Sequence, residues 1–346
     1  MTKKRWTILC LTAVAFLAPL KWGTPVVLQS VLAPPGDAVE WLFLTWSNEW
    51  GVLFCFAALL WGVMDRERRG NRSDALWWLP VVWLATQVIA WPDTIHPQAS
   101  ADTLLHFAAC VILFYAAACS VRDGAAAAQI FGGLALATVL ISFFGLQQWF
   151  GGLEETRRHA AETFAAGELP PELAARLTSE RVFGTLVYPN ALAGLLTVAF
   201  GPLLAWVWTR SRTWDPKVKW VALVLAGGLA ATVLVLTGSR GGFVSFAAGI
   251  VAGLWCCAGR GRGRAAVLAV AALAGVFAVA VAAGVIHLGR TSLAARFDYW
   301  DGAVRIIRDH PWVGTGPGTF GSLYPMYKTA PTEEAQMVHN NRGNQT

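Results

Sequence analysis

Charged side chains are scarce in this sequence. Asp, Glu, Lys and Arg make up 14% of its 346 residues and hydrophobic types 55%, against about 25% charged in an average soluble domain. So much apolar surface exceeds what one aqueous core can hide, which excludes an ordinary soluble domain and points to the bilayer as solvent. Acidic residues are fewer than basic ones, 21 against 27, leaving a net charge of +6. In a soluble chain that excess suggests nucleic acid; here the cations punctuate apolar runs, so they read as topology signals and no nucleic-acid partner is expected. Paired cysteine spacing is also missing. Cys10, Cys55, Cys110, Cys119, Cys256 and Cys257 all fall inside apolar runs, so they read as small buried hydrophobes and not as a disulfide framework or metal site. No small-x-small cleavage site follows Lys3-Lys4-Arg5 and the apolar stretch from Trp6, which favours an uncleaved first span over a removed signal peptide. No repeat of fixed period is present, which removes solenoids.

What the sequence has instead is a series of runs free of acidic and basic residues. They extend over 75–92, 103–121, 124–153, 182–209, 220–239, 241–259 and 265–289, each with the ~18 residues that cross ~30 Å of hydrocarbon as a helix. Two further candidates are interrupted by one charge each, 6–33 by Lys21 and 41–64 by Glu49. The expected architecture is therefore all-α and polytopic, with about nine transmembrane helices. Eighteen Trp, most near run ends, fit interfacial belts.

With the N-terminus inside, the short inner connections hold 15 of the 27 Lys and Arg, whereas the short outer connection 92–102 holds none. The excess of cations on short inner loops sets this orientation. It divides the chain into a membrane domain, 1–288, which includes an outer loop over 152–181, and an outer segment, 289–346. Phe297, Trp300, Val304 and Ile307 recur at helical spacing among Asp298, Asp301, Arg305 and Arg308, as in an amphipathic helix on the membrane surface. His310-Pro311 ends it, because proline cannot continue the hydrogen-bond ladder. Glu154 to Glu180, with Pro170-Pro171 inside, reads as two short helices around a turn.

Three outer-face constellations could carry chemistry. Arg181 stands just before a span whose first turn holds Pro189-Asn190. Irregular backbone at membrane depth is tolerated mainly beside protein or a water-filled cavity; the competing reading makes Arg181 an interfacial anchor and Asn190 a helix cap. Thr237-Gly238-Ser239-Arg240-Gly241-Gly242 is a short turn with Arg240 as its only charge. Its small residues allow close packing and leave backbone N–H groups for a phosphate beside the guanidinium; the competing reading is a glycine turn with a snorkelling arginine. Arg296 opens the third, which runs to Gly314-x-Gly-x-Gly318. That triplet has no preceding strand and contains Pro317, so it reads as a tight turn under a surface helix and not as a nucleotide loop. His339, beside Asn340, is the one histidine in a polar outer context, where an imidazole can take a proton near neutral pH. His96, His106, His159, His287 and His310 have no such setting and read as structural or solvated.

Taken in order, Arg-x-x-Gly-Thr with Pro-Asn-x-Leu-Ala over 181–193, Thr-Gly-Ser-Arg-Gly over 237–241, Arg-x-x-Tyr-Trp with His-Pro-x-x-Gly-x-Gly-x-Gly-Thr-Phe over 296–320, and His-Asn at 339 resemble the motifs of the O-antigen ligase/polymerase family. The resemblance covers about Arg181 to Asn340. It implies a multi-pass protein of the bacterial inner membrane with its site on the periplasmic face. The implied reaction moves a glycan from an undecaprenyl-pyrophosphate carrier to a hydroxyl of lipid A core, protein or glycan, with no cofactor, nucleotide sugar or metal. Carried over by motif, Arg181, Arg240 and Arg296 bind the donor pyrophosphate and stabilise charge on the leaving group, Asn190 is a further substrate-binding residue, and His339 activates the acceptor. Members of the family continue into further spans beyond His-Asn, whereas this chain stops at Thr346, so the expectation is a truncated member. Two alternatives stay open: a transporter or flippase for lipid-linked glycan, and an inactive truncated relative.

Overall fold

The structure, a computed structural model, describes residues 3–21, 75–155, 157–158, 180–186, 188–257 and 291–328, with isolated positions 38, 56 and 263. Every regular element among the described residues is helical. In chain order they are α1 (Lys3–Lys21), α2 (Ala75–Ile89), α3 (Pro97–Ser120), α4 (Gly124–Gln147), a π-helical turn (Gln148–Gly152), α5 (Pro189–Arg210), α6 (Pro216–Leu236), α7 (Arg240–Cys257), α8 (Thr291–Asp309) and α9 (Phe320–Tyr327). Helix starts follow local chemistry. Pro97, Pro189 and Pro216 occupy the first turns of α3, α5 and α6, where a missing N–H costs nothing. The carboxylates of Asp123 and Asp215 accept from Ala126 N and Lys217 N, both at 2.8 Å, and cap α4 and α6.

Among the described residues, four helices are long and apolar enough to cross a membrane: Pro97–Ser120, Gly124–Glu155, Pro189–Arg210 and Pro216–Leu236; Arg5–Leu20, Trp77–Ile89 and Arg240–Gly253 are shorter apolar helices. The expected spans at 41–64 and 265–289, and the helices expected between 159 and 179, lie outside the described residues. One boundary moves. The run from 182 was read as a span from its start, but 181–186 is irregular and α5 begins at Pro189, because absence of charge does not separate helix from irregular backbone.

α4, α5 and α6 form the centre, flanked by α1 on α4 and α7 on α5. Ile141, Leu192, Leu196, Leu203 and Val233 are fully buried among them. Small residues on α4 set the spacing: a β-carbon added to Gly133 would lie 2.6 Å from Thr12 O of α1, and one on Gly145 would lie 2.8 Å from Val233 Cγ1 of α6. In a bilayer, where apolar burial between helices gains little, such close van der Waals approach drives association. Val198, Val224 and Leu225 point outward, each about two-thirds exposed or more (71%, 68% and 67%); on helices of this length that suits lipid contact.

The antiparallel order gathers the C-termini of α1, α4 and α6 and the N-termini of α5 and α7 at one end. Thr185 Oγ1 donates to Pro19 O of α1 (3.1 Å), and Val182 N donates to Leu236 O of α6 (3.3 Å). The 291–328 segment joins this end through Arg296 at α7 and through residues 315–318 at the start of α3. α8 ends at Asp309, immediately before His310-Pro311, as its sequence requires. Its stripe Phe297, Trp300, Val304 and Ile307 is exposed, and the opposite side packs Gly302 against Tyr324 of α9.

Candidate functional site

Arg181 leaves the irregular segment before α5 and reaches across to the end of α6. Its Nε donates to Thr237 O at 2.6 Å and its Nη2 to Asn190 Oδ1 at 2.9 Å. Both acceptors are neutral oxygens, and the two bonds orient the guanidinium. Asn190 is not a helix cap: Tyr188 occupies that position and no side chain caps the helix. The amide instead serves as the second anchor of Arg181.

The turn between α6 and α7 is fixed residue by residue. Thr237 is fully buried and its hydroxyl donates to Leu234 O at 2.6 Å, leaving its carbonyl for Arg181. Gly238 has φ +56, and a β-carbon there would lie 3.3 Å from Arg181 Nε; glycine answers both the left-handed backbone and the arginine lying over it. Ser239 Oγ accepts from Gly242 N at 3.2 Å and starts α7. Part of the expected N–H array is therefore used internally, since Ser239 N also donates to Thr237 Oγ1 at 3.2 Å. Arg240, half-buried, is the first residue of α7, where the helix dipole favours an anion.

Arg296 arrives from α8. A β-carbon added to Gly241 would lie 3.6 Å from its Nη2 and 3.9 Å from its Nη1, so the guanidinium rests against the first turn of α7. Gly242 faces the other way, and a β-carbon there would meet the Ala193 β-carbon of α5 at 2.6 Å. Neither carbon can rotate aside, so Gly242→Val is expected to part α5 from α7 and cost about 2 kcal/mol or more. Thermal unfolding in detergent checks this, with Gly241→Ala as the milder neighbour. The structure thus brings together Arg181, Asn190, Arg240 and Arg296 at one end of the bundle. His339 lies outside the described residues.

Sequence reasoning missed Gln148. It lies in the π-helical turn, where Phe150 and Gly151 leave helical geometry, and it is 3% exposed. Its Oε1 accepts from Phe183 N (3.1 Å) and Gly184 N (2.8 Å), and its Nε2 donates to Gly184 O (3.1 Å). One side-chain amide thus replaces the partners that irregular backbone lacks and holds the segment that carries Arg181. The only sequence signal was a polar residue near the end of an apolar run.

The Gly-x-Gly-x-Gly stretch is the expected tight turn. Gly314, Gly316 and Gly318 all have positive φ, at 68, 94 and 78. β-Carbons on Gly316 and Gly318 would collide with Thr94 and Thr103. A directed chain ties it down: His96 N donates to Thr94 Oγ1 (3.2 Å), Thr94 to Ser100 Oγ (2.6 Å), and Ser100 to Pro317 O (2.8 Å). Nearby, burial first and then the adjacent Asp298 and Tyr299 push the Tyr324 hydroxyl above its ordinary range, and a hydrogen bond with Asp309 does the same for Tyr327. Both phenols therefore stay neutral at physiological pH, bracing α9 on α8.

No curated protein and no solved structure matches the chain. Residues 225–342, about a third of its length, match the O-antigen ligase family. That stretch begins within α6 and contains Arg240, Arg296 and His339. Over 225–342 the chain is thus similar to the O-antigen ligase family, and that stretch follows helices long and apolar enough to cross a membrane.

Proposed function

We propose that this chain transfers a glycan from an undecaprenyl-pyrophosphate carrier to an acceptor hydroxyl at the periplasmic face of the bacterial inner membrane. The observation that carries this reading is the placement of Arg181, Arg240 and Arg296, from three separate parts of the chain, around the α6–α7 turn and the first turn of α7. Phosphate oxygens match planar guanidinium forks, and a helix N-terminus adds to the attraction. The scarcity of cations on the short connection at this end of the bundle supports its facing outward.

In this reading the acceptor oxygen attacks the anomeric carbon while the bond from that carbon to the pyrophosphate oxygen breaks. The arginines stabilise the charge that develops on the pyrophosphate as it leaves. His339 takes the hydroxyl proton, a role that rests on the family motif. Asn190 binds no substrate directly in this scheme; it aims Arg181. The segment 289–346 then forms an outer lobe over the membrane domain 1–288, held down by the glycine turn on α3. Lipid A core, protein or a growing glycan all offer the hydroxyl that the reaction consumes.

Expression in a bacterium lacking its own ligase and polymerase, with a matched lipid-linked glycan, tests the reading. The lipid-linked pool is expected to fall as finished product rises. His339→Ala is expected to slow product formation by about 10²- to 10⁴-fold, the usual worth of a general base. Stable membrane insertion with an unchanged lipid-linked pool would overturn the proposal.

A further inference from the structure

At the opposite end of the bundle, α5 and α6 part to leave a shallow, open apolar groove of about 530 Å³. Phe200, Leu204 and Trp208 of α5 face Trp220 and Val224 of α6 across it, with Gly228 among its lining residues. The adjacent glycines differ in use. A β-carbon on Gly227 would meet Leu204 at 3.3 Å, whereas one on Gly228 would find nothing within 4 Å. Gly227 lets the helices close, and Gly228 keeps the groove open.

The stretch of chain at this end of the groove is strongly basic. Arg210, Arg212, Lys217 and Lys219 lie on the ten residues 210–219 that join the two lining helices. The one acid among them, Asp215, is engaged as the cap of α6. Lys219 Nζ sits 3.1 Å from the centroid of the Trp208 ring, and Trp208 meets Trp220 edge-on at 6.0 Å. Tryptophan pairs favour the depth at which acyl chains give way to headgroups, and a lysine stacked on one holds its charge there.

We propose that this groove is a binding site for an anionic phospholipid, with an acyl chain between α5 and α6 and the headgroup phosphate against the 210–219 cations. Basic pockets between membrane helices take such headgroups, and the groove supplies the apolar half that a free phosphate could not use. The proposal is independent of the transfer reaction.

The test uses the full chain purified in mild detergent and mixed with phosphatidylglycerol or phosphatidylcholine, with bound lipid counted by native mass spectrometry. Wild type is expected to retain phosphatidylglycerol about tenfold over phosphatidylcholine. Arg212→Glu with Lys217→Glu is expected to erase that preference, because cations near the membrane surface carry the attraction for an anionic headgroup. Gly228→Leu is expected to abolish retention by filling the groove. Val224→Trp fills it from an exposed position and serves where the glycine variant misfolds. Equal retention of the two lipids by wild type, or undiminished phosphatidylglycerol binding in a folded groove-filled variant, would overturn the site. Displacement of phosphatidylglycerol by millimolar inorganic phosphate would reduce it to a phosphate site with no use for the groove, and would equally refute the proposal.

Discussion

Arg181→Ala is expected to lower kcat/KM for the lipid-linked donor by about 10²- to 10³-fold, the loss typical of removing one donor aimed at developing charge. Lysine should recover only a small part. A single ammonium cannot hold Thr237 O at 2.6 Å and Asn190 Oδ1 at 2.9 Å in the planar fork that the guanidinium uses. Asn190→Ala removes one of the two anchors and should fall between wild type and Arg181→Ala. Because Arg181, Arg240 and Arg296 would act on one group, double replacements should cost far less than the product of the singles. Steady-state kinetics on purified variants decides the matter. Wild-type turnover in Arg181→Lys would remove the geometric argument, and a kcat/KM within twofold of wild type in Arg181→Ala would remove Arg181 from the reaction.

The second large effect belongs to Gln148. Gln148→Leu leaves Phe183 N–H, Gly184 N–H and Gly184 C=O without the amide that now satisfies them. At about 1–3 kcal/mol for each orphaned buried group, and less for the part-buried Phe183 N–H, the loss should be on the order of 3–6 kcal/mol. Gln147→Leu, one residue away on the exposed side, should change stability by no more than about 0.5 kcal/mol. Thermal unfolding of the two variants in the same detergent provides the comparison. Equal stabilities would mean that the 181–186 segment is held by something other than Gln148. Since that segment carries Arg181, folded Gln148→Leu should also show a weakened donor KM, an effect that Gln147→Leu should not share.

These two glutamines show where sequence reasoning ends. Nothing in the run Leu146-Gln147-Gln148-Trp149 distinguishes them, yet one is exposed and the other is 3% accessible with three backbone partners. The difference comes from the π-helical turn, which rotates Gln148 toward a segment 35 residues later in the chain. Gly241 and Gly242 are a similar pair. Either could have been a packing glycine, but Arg296 approaches the first and Ala193 the second. Asn190 looked suited to capping because its spacing from Pro189 was local information, whereas its actual partner depends on how the 181–186 segment folds back.

The sequence alone determined that the chain is helical and membrane-embedded, because backbone polar groups in hydrocarbon must be satisfied within each segment and long charge-free runs therefore become helices. It also determined the end of α8 before His310-Pro311, a matter of residue type over a few positions. Tertiary structure decided that Arg181, Arg240 and Arg296 meet, that Gln148 holds the loop behind them, and that α5 and α6 part at Gly228. Those outcomes depend on which helices pack together and how closely. That is set by interlocking side chains tens of residues apart, for which a linear pattern carries no separate signal.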